Sequence, residues 1–219
     1  MKLKIEWQYK TKSGAKTLLT SDYLQIAEAL LFYEDILKTG RVHQIELIDE
    51  YESTWLLKEV KKYLAELEEE PHDVELYFDA SFNREERLAG LGAVVYFKQN
   101  GKKYRIRQNY FAELIDSNND AEYAALHFAL RLVEELGVFA QQVTIYGDSQ
   151  VVIQQMAGEW PVYEKTLQVW ADKIDAELTR LKLKPTFIHI PRQQNTEAHN
   201  LASQALQGVD IESQIHLDE

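Results

Sequence analysis

"VELYFDAS" (residues 74–81), "GLGAVVYF" (90–97) and "KKYRIRQNYF" (102–111) decide the fold. Each is a short run rich in β-branched and aromatic residues, so together they predict three consecutive strands. Helical periodicity takes over from about Asn119 to Leu136, then "QVTIYGD" predicts a fourth strand. Helices are expected from about Ser149 to Gly158 and from about Tyr163 to Leu181, then a strand at "PTFIHIP" and a last helix opening at Asn195. Three meandering strands followed by helix-strand alternation imply an α/β fold, a mixed sheet with helices packed on it.

Upstream, the order is strand ("LKIEWQY"), strand ("KTLLTS"), helix (about Tyr23 to Lys38), strand ("VHQIELID") and helix ("TWLLKEVKKYLAELEEE"). Thr39 and Gly40 end the first helix as a glycine-bearing C-terminus should. The pattern predicts a small α+β domain of ββαβα order. The acidic run before Pro71 is solvated, and the proline stops the helix, so the boundary is placed near residue 72, giving domains 1–72 and 73–219.

At 219 residues and 45% hydrophobic content the chain can fill real cores. No run of about 18 apolar residues occurs, and "MKLKIEWQYKTK" lacks a signal peptide's apolar block. Neither membrane insertion nor secretion is expected. Cysteine is absent, which removes disulfides, thiolate catalysis and Cys-type metal sites and fits a cytoplasmic location. Any metal must be held by oxygen or imidazole. The net charge of −12 argues against non-specific coating of polyanions. One local exception, "KQNGKKYRIR" (98–107), forms a basic strip that either holds a phosphate backbone or is a solvated hairpin.

Asp79 and Asp148 each end a strand, where ligand sites of such sheets gather, though an Asp before a turn or helix also caps backbone N–H groups. Glu122 lies one residue from the helix stripe Ala121, Ala125, Phe128 and Leu132, so it either leans inward over the sheet or serves the helix dipole. The three acids come from elements that this topology can bring to one rim. Clustered carboxylates repel unless cations join them, and an oxygen-only set selects hard ions such as Mg²⁺ or Mn²⁺. That equipment fits metal-assisted cleavage of a phosphodiester.

These residues carry a resemblance. From about 74 to 207, "YFDAS", "GLGAVVYF", "SNNDAEYAAL", "IYGDSQVVIQQM" and "IHIPRQQNTEAHNLA" resemble, in order, the motifs of type I ribonuclease H, in particular its compact reverse-transcriptase-like branch. The resemblance implies a five-stranded mixed sheet in the order 3-2-1-4-5. It also implies an endonuclease hydrolysing the RNA strand of RNA–DNA hybrids with two divalent ions, Mg²⁺ or Mn²⁺, in a set including Asp79, Glu122 and Asp148. Asn118 and Asn119 match the pair that meets the RNA minor groove, where 2′-hydroxyls mark RNA. Ser81, Ser149 and Gln150 match positions approaching the sugar-phosphate backbone, and Arg192 is placed to hold a phosphate.

Two departures from the family pattern stand out. Where a fourth acid is expected the chain has His199, which can ligate a divalent ion but brings no negative charge and favours Mn²⁺. The expectation is an active but retuned site; the alternative is a weakened or inactive nucleic-acid-binding protein. An exonuclease of the same broad fold is a third, weaker reading. In addition, "MAGEWPVYEKTLQVWADKI" leaves no room for the extra helix and basic loop of larger family members. Grip lost there could come from residues 1–72 through Trp7, Tyr9 or Trp55. With ten basic and fourteen acidic residues before position 72, that domain equally suits a protein partner or self-association, and most of its aromatics are expected in its core. His189, on the strand before the Pro191 loop, is expected to pack rather than shuttle protons.

Overall fold

The computed structural model describes residues 1–217 and divides into two compact units, Met1–Glu69 and Glu70–Glu219. In the first, β1 (Lys2–Lys10), β2 (Lys16–Thr20), β3 (Leu24–Gln25), α1 (Ile26–Lys38), β4 (Val42–Asp49), β5 (Thr54–Trp55) and α2 (Leu57–Glu69) follow one another. The sheet runs β2-β1-β4-β5 with β3 against β1, so two two-residue strands are added to the expected ββαβα order. Leu3, Ile5 and Leu47 of the sheet meet Ala29 and Leu30 of α1 and Val60 of α2, and Trp7 and Trp55 pack on this cluster. Those two tryptophans are partly buried against this core.

The second unit runs β6 (His72–Asn83), β7 (Leu88–Gln99), β8 (Lys102–Glu113), α3 (Asn118–Glu135), β9 (Gln142–Gly147), α4 (Gln150–Met156), α5 (Lys165–Arg180), β10 (Lys184–His189), α6 (Thr196–Leu206) and β11 (Glu212–Leu217). Its sheet order is β10-β9-β6-β7-β8-β11, with β6, β9 and β10 parallel and the other pairings antiparallel. The first five strands reproduce the expected 3-2-1-4-5 order, and β11 adds a sixth at the β8 edge. β11 pairs with β8 along Glu212–Leu217, and the segment leading into it is held by buried Asn109. The amide nitrogen donates to the carbonyls of Leu201 (3.0 Å) and Val209 (2.9 Å), while its oxygen accepts from Ile211 N–H at 2.8 Å. Each such bond contributes about 1 kcal/mol net, and leaving the buried amide unpaired would cost more.

Period-two alternation on β6 sorts its residues. Leu76, Phe78 and Ala80 enter a core with Ala121, Ala125, Leu126 and Ala129 of α3 and Leu167, Ile174 and Leu178 of α5. Tyr77 faces the other way, against a smaller cluster of Val94, Ala198 and Leu201 that seats α6. Burying a leucine or phenylalanine fully contributes about 1.5 to 3 kcal/mol, so the larger cluster dominates this unit's stability. Two glycines let α6 lie directly on β7. A Cβ on Gly92 would stand 2.1 Å from the Ala198 carbonyl oxygen, and one on Gly90 2.0 Å from that of Ala202. Among the described residues no helix is long and apolar enough to cross a membrane.

Candidate active site

Asp79 sits on β6 on the Tyr77 face, 1% exposed, where β6 passes the end of β9. Asp148 follows β9 directly, and Gly147 before it allows the close packing, since a Cβ there would meet the Phe78 ring at 2.6 Å. Glu122, 6% exposed, projects from the second turn of α3, whose small residues Ala121, Ala124 and Ala125 bring the helix against the sheet. One carboxylate oxygen from each of the three lies within 4.8 Å of the others. The long-range meeting proposed from the spacing is thus a feature of the fold.

The surroundings of these acids favour the neutral form or a bound cation. The Asp79 carboxyl is pushed up to about 6, first by burial and then by the Asp148 charge, with the His199 contact acting the other way. Glu122 is raised well above its ordinary value by burial and by Asp79 and Asp148, partly opposed by the Arg192 charge and a backbone hydrogen bond from Ala80. Its Oε2 is buried without a hydrogen-bond partner. A buried unpaired carboxylate oxygen facing two other acids is what a divalent ion would satisfy, so the donor set fits Mg²⁺ or Mn²⁺.

His199, half-buried on the first turn of α6, places Nδ1 2.7 Å from Asp79 Oδ2. Arg192, on the 3-10 turn Arg192–Gln194, has Nη2 3.1 Å from both imidazole nitrogens. Asn195 departs from its expected role. It occupies the N-cap position of α6, but its side chain makes no capping bond. Instead the buried amide donates to the Phe78 carbonyl at 2.8 Å and to Asp148 Oδ1 at 3.2 Å, tying the last helix to both aspartate-bearing segments. Sequence reasoning saw only a helix-start residue there; the one signal, an Asn at a recurrent position of the motif, does not say which acid it holds.

The remaining candidates fall out as follows. Ser81 is half-buried on β6, two residues beyond Asp79 and on the same face. Asn118 is exposed and Asn119 half-buried on the first turn of α3, and Ser117, not the asparagine pair, caps that helix by accepting from Asp120 N–H at 3.1 Å. Ser149 caps α4 at 3.5 Å from Val152 N–H, which frees Asp148 from that duty, and Gln150 is exposed as the first residue of the helix. His189 is exposed rather than packed, with Nε2 3.2 Å from the Asp148 carbonyl oxygen.

The basic strip is not at this site. Lys98 pairs with His72 across the sheet while Gly92 pairs with Asp79, so the hairpin lies seven residues, roughly 23 Å, along β6 from the carboxylates. Lys98 is bound to Asp73 at 2.7 Å. Arg105 Nη1 and Arg107 Nε each stand 3.0 Å from Glu197 Oε1, and Tyr96 donates to Glu197 Oε2 at 2.7 Å. These arginines clasp the first turn of α6 to the sheet, which is a structural use of charge that composition does not reveal.

A mixed sheet in this order, with three acids gathered at the adjoining ends of β6 and β9 and on α3, defines a ribonuclease H-like protein. A family profile described as reverse transcriptase-like matches residues 77–205, and the chain belongs to that family. It is 41% identical to the uncharacterized protein YpeP of Bacillus subtilis strain 168 over 219 residues, which is 100% of this chain and 96% of that protein. It is 31% identical to ribonuclease HI of Halobacterium salinarum over 100 residues, spanning 41% of this chain and 44% of the enzyme. Among solved structures, an N-terminal RNase H domain from Mycobacterium tuberculosis superposes with a TM-score of 0.54 at 27% identity, covering 62% of this chain and 94% of that one. The metagenomic LC11-RNase H1 in complex with an RNA/DNA hybrid gives a TM-score of 0.54 at 26% identity, covering 62% and 98%.

Proposed function

We propose that the protein is an endoribonuclease that hydrolyses the RNA strand of RNA–DNA hybrids with two divalent ions, Mg²⁺ or Mn²⁺. The observation that carries this is the convergence of Asp79, Glu122 and Asp148 within 4.8 Å, with a Glu122 oxygen buried and unpartnered. Held by these carboxylates, the ions would activate a water and stabilise the departing oxygen. Asn195 fixes the Asp148 carboxylate, so one side of the site is set before substrate arrives. His199 is the fourth member of the set, from the α6 side. Ser81, Asn118, Asn119, Ser149 and Gln150 are assigned to the sugar-phosphate backbone and 2′-hydroxyls, and Arg192 to a phosphate. Solved relatives include one bound to an RNA/DNA hybrid, which supports this choice of substrate.

A labelled hybrid of defined sequence, incubated with Mg²⁺ and then with Mn²⁺, tests the proposal. Internal cuts in the RNA strand are expected, reduced about 100-fold or more by Asp79→Asn or Asp148→Asn. No cleavage with either ion overturns it. A second reading, a weakened or inactive hybrid-binding protein, is favoured by one contact: the imidazole of His199 already occupies an Asp79 oxygen. Hybrid binding without cleavage, even in His199→Asp, would establish that reading instead.

A further inference from the structure

One face of the sheet in Glu70–Glu219 is only partly covered. Helix α3 lies over β6 and β7, α5 packs against α3, and α6 sits on the opposite face. Among the described residues no helix packs over β8 and β11 on the α3 side. Two neighbouring strands present a strip of about 10 Å, the diameter of one α-helix. That strip is a groove. Two adjoining hollows of about 670 and 460 Å³ run along it and share Gln108, Leu132 and Glu135. Its wall is the i, i+4 row Ala124, Phe128 and Leu132 of α3, ending at Leu136, and such a row is the ridge on which another helix packs. Its floor is Ile106, Gln108, Tyr110 and Ala112, alternate residues of β8. Tyr110 and Phe128 meet at 5.8 Å between ring centroids, yet Tyr110 stays 57% exposed and Leu114 beside it 77% exposed, which is apolar surface left for a partner.

We propose that this groove docks one amphipathic helix of a protein partner, with lysine or arginine flanking its apolar stripe. The charges choose the partner. Of the charged groups that line the groove, Asp116 is paired with Arg87, Asp120 accepts from the Trp170 indole, and Lys173 sits over the Trp170 ring at 4.6 Å. Glu113, Glu135 and Glu212 remain, against Arg131. That lining repels a nucleic-acid backbone and attracts a basic flank, which the chain's net charge of −12 also steers inward. A second copy fits badly, because the helix of this chain that exposes an apolar pair, Leu31 and Phe32 of α1, carries Glu28 and Asp35 beside them. Tyr110, Phe128 and Leu132 give a basic helix its anchors, as in other helix-in-groove recognition. None of Asp79, Glu122 and Asp148 lines the groove, so the proposal is independent of the nuclease reading.

Fluorescence anisotropy of a labelled synthetic peptide of about 15 leucine and lysine residues, patterned with one apolar stripe, tests this on the full-length protein at about 0.15 M salt. Binding is expected, weakened about tenfold or more by Tyr110→Asp and by Glu135→Lys combined with Glu212→Lys. The same kinds of change made on α1, Leu31→Asp and Glu28→Lys combined with Asp35→Lys, should alter it less than about twofold. A peptide with glutamate in place of lysine should not bind. No binding of the lysine peptide at about 100 μM overturns the proposal. So does equal weakening by the groove and α1 variants, or none by either, since the peptide would then be held by acidic surface at large; binding of the glutamate peptide overturns the basic partner. All the substituted side chains are exposed, and far-UV circular dichroism verifies that the variants are folded.

Discussion

The proposed site gathers three carboxylates and a histidine, and their environments differ. Asp79 and Glu122 are buried and disfavoured as anions, whereas Asp148 is half-exposed and held by Asn195. An acid at position 199 would add negative charge beside Asp79 and remove the donor that engages it. His199→Asp is accordingly expected to raise Mg²⁺-supported cleavage several-fold, and His199→Ala to lower it. Initial rates at matched Mg²⁺ and Mn²⁺ concentrations check this, and equal rates for all three proteins would make the residue a bystander on the helix flank. The pattern in the sequence located His199 as an anomaly. Its attachment to Asp79, 120 positions earlier, depends on how α6 lies across the sheet.

That placement is decided by elements. Helix α6 rests on β7 at Gly90 and Gly92 and is clasped at its first turn by Arg105, Arg107 and Tyr96 through Glu197. A methyl group at position 92 has a backbone carbonyl 2.1 Å away, which no rotamer change relieves. Gly92→Ala should therefore cost about 3 kcal/mol, lowering the melting temperature by roughly 6 to 12 °C. It should also move His199 from Asp79, so that cleavage falls by more than the loss of folded protein explains. A variant that melts and cleaves like the wild type would show that the helix is not pinned there. The glycines were legible as part of a recognisable strand; that they are needed by a helix a hundred residues later was not. Nor was β11, a polar edge strand paired with β8 and led in by a segment that Asn109 holds.

At the scale of the whole molecule, each unit has its own core, and all the candidate site residues lie in Glu70–Glu219. A chain beginning at Glu70 is expected to retain metal-dependent cleavage, with any loss appearing in hybrid binding or self-association rather than in turnover of bound substrate. Comparing KM and kcat for the two chains checks this, and a fall in kcat alone would give the first unit a part in the chemistry.

Stability also responds to pH at this scale. In metal-free protein the Asp79 carboxyl binds its proton more tightly folded, at about 6, than unfolded, near the ordinary value of 3.8. The folded state thus holds more protons between those values, so stability falls as pH rises from about 4 to 6 and stays lower above it. The loss is on the order of 3 kcal/mol from Asp79 alone, with Glu122 acting in the same direction. Urea unfolding in a chelator at pH 4.5 and 7.5 captures roughly two-thirds of it, and an identical pH dependence in Asp79→Asn would refute the assignment. Saturating Mn²⁺ should offset the stability lost at pH 7.5.

The sequence by itself determined the main strands, β3, β5 and β11 aside, the major helices, their order and the three acids, because hydrophobic periodicity and strand-end carboxylates are local properties of a chain. Only the tertiary structure decided that Asn195 holds an aspartate instead of capping its helix, that the arginines of the basic strip clasp Glu197, and that His199 bridges Arg192 to Asp79. The physical reason is distance along the chain. A side chain's period says which way it points, but its partner is set by how elements a hundred residues apart pack, and that rests on glycine contacts and buried polar bonds that no local pattern contains.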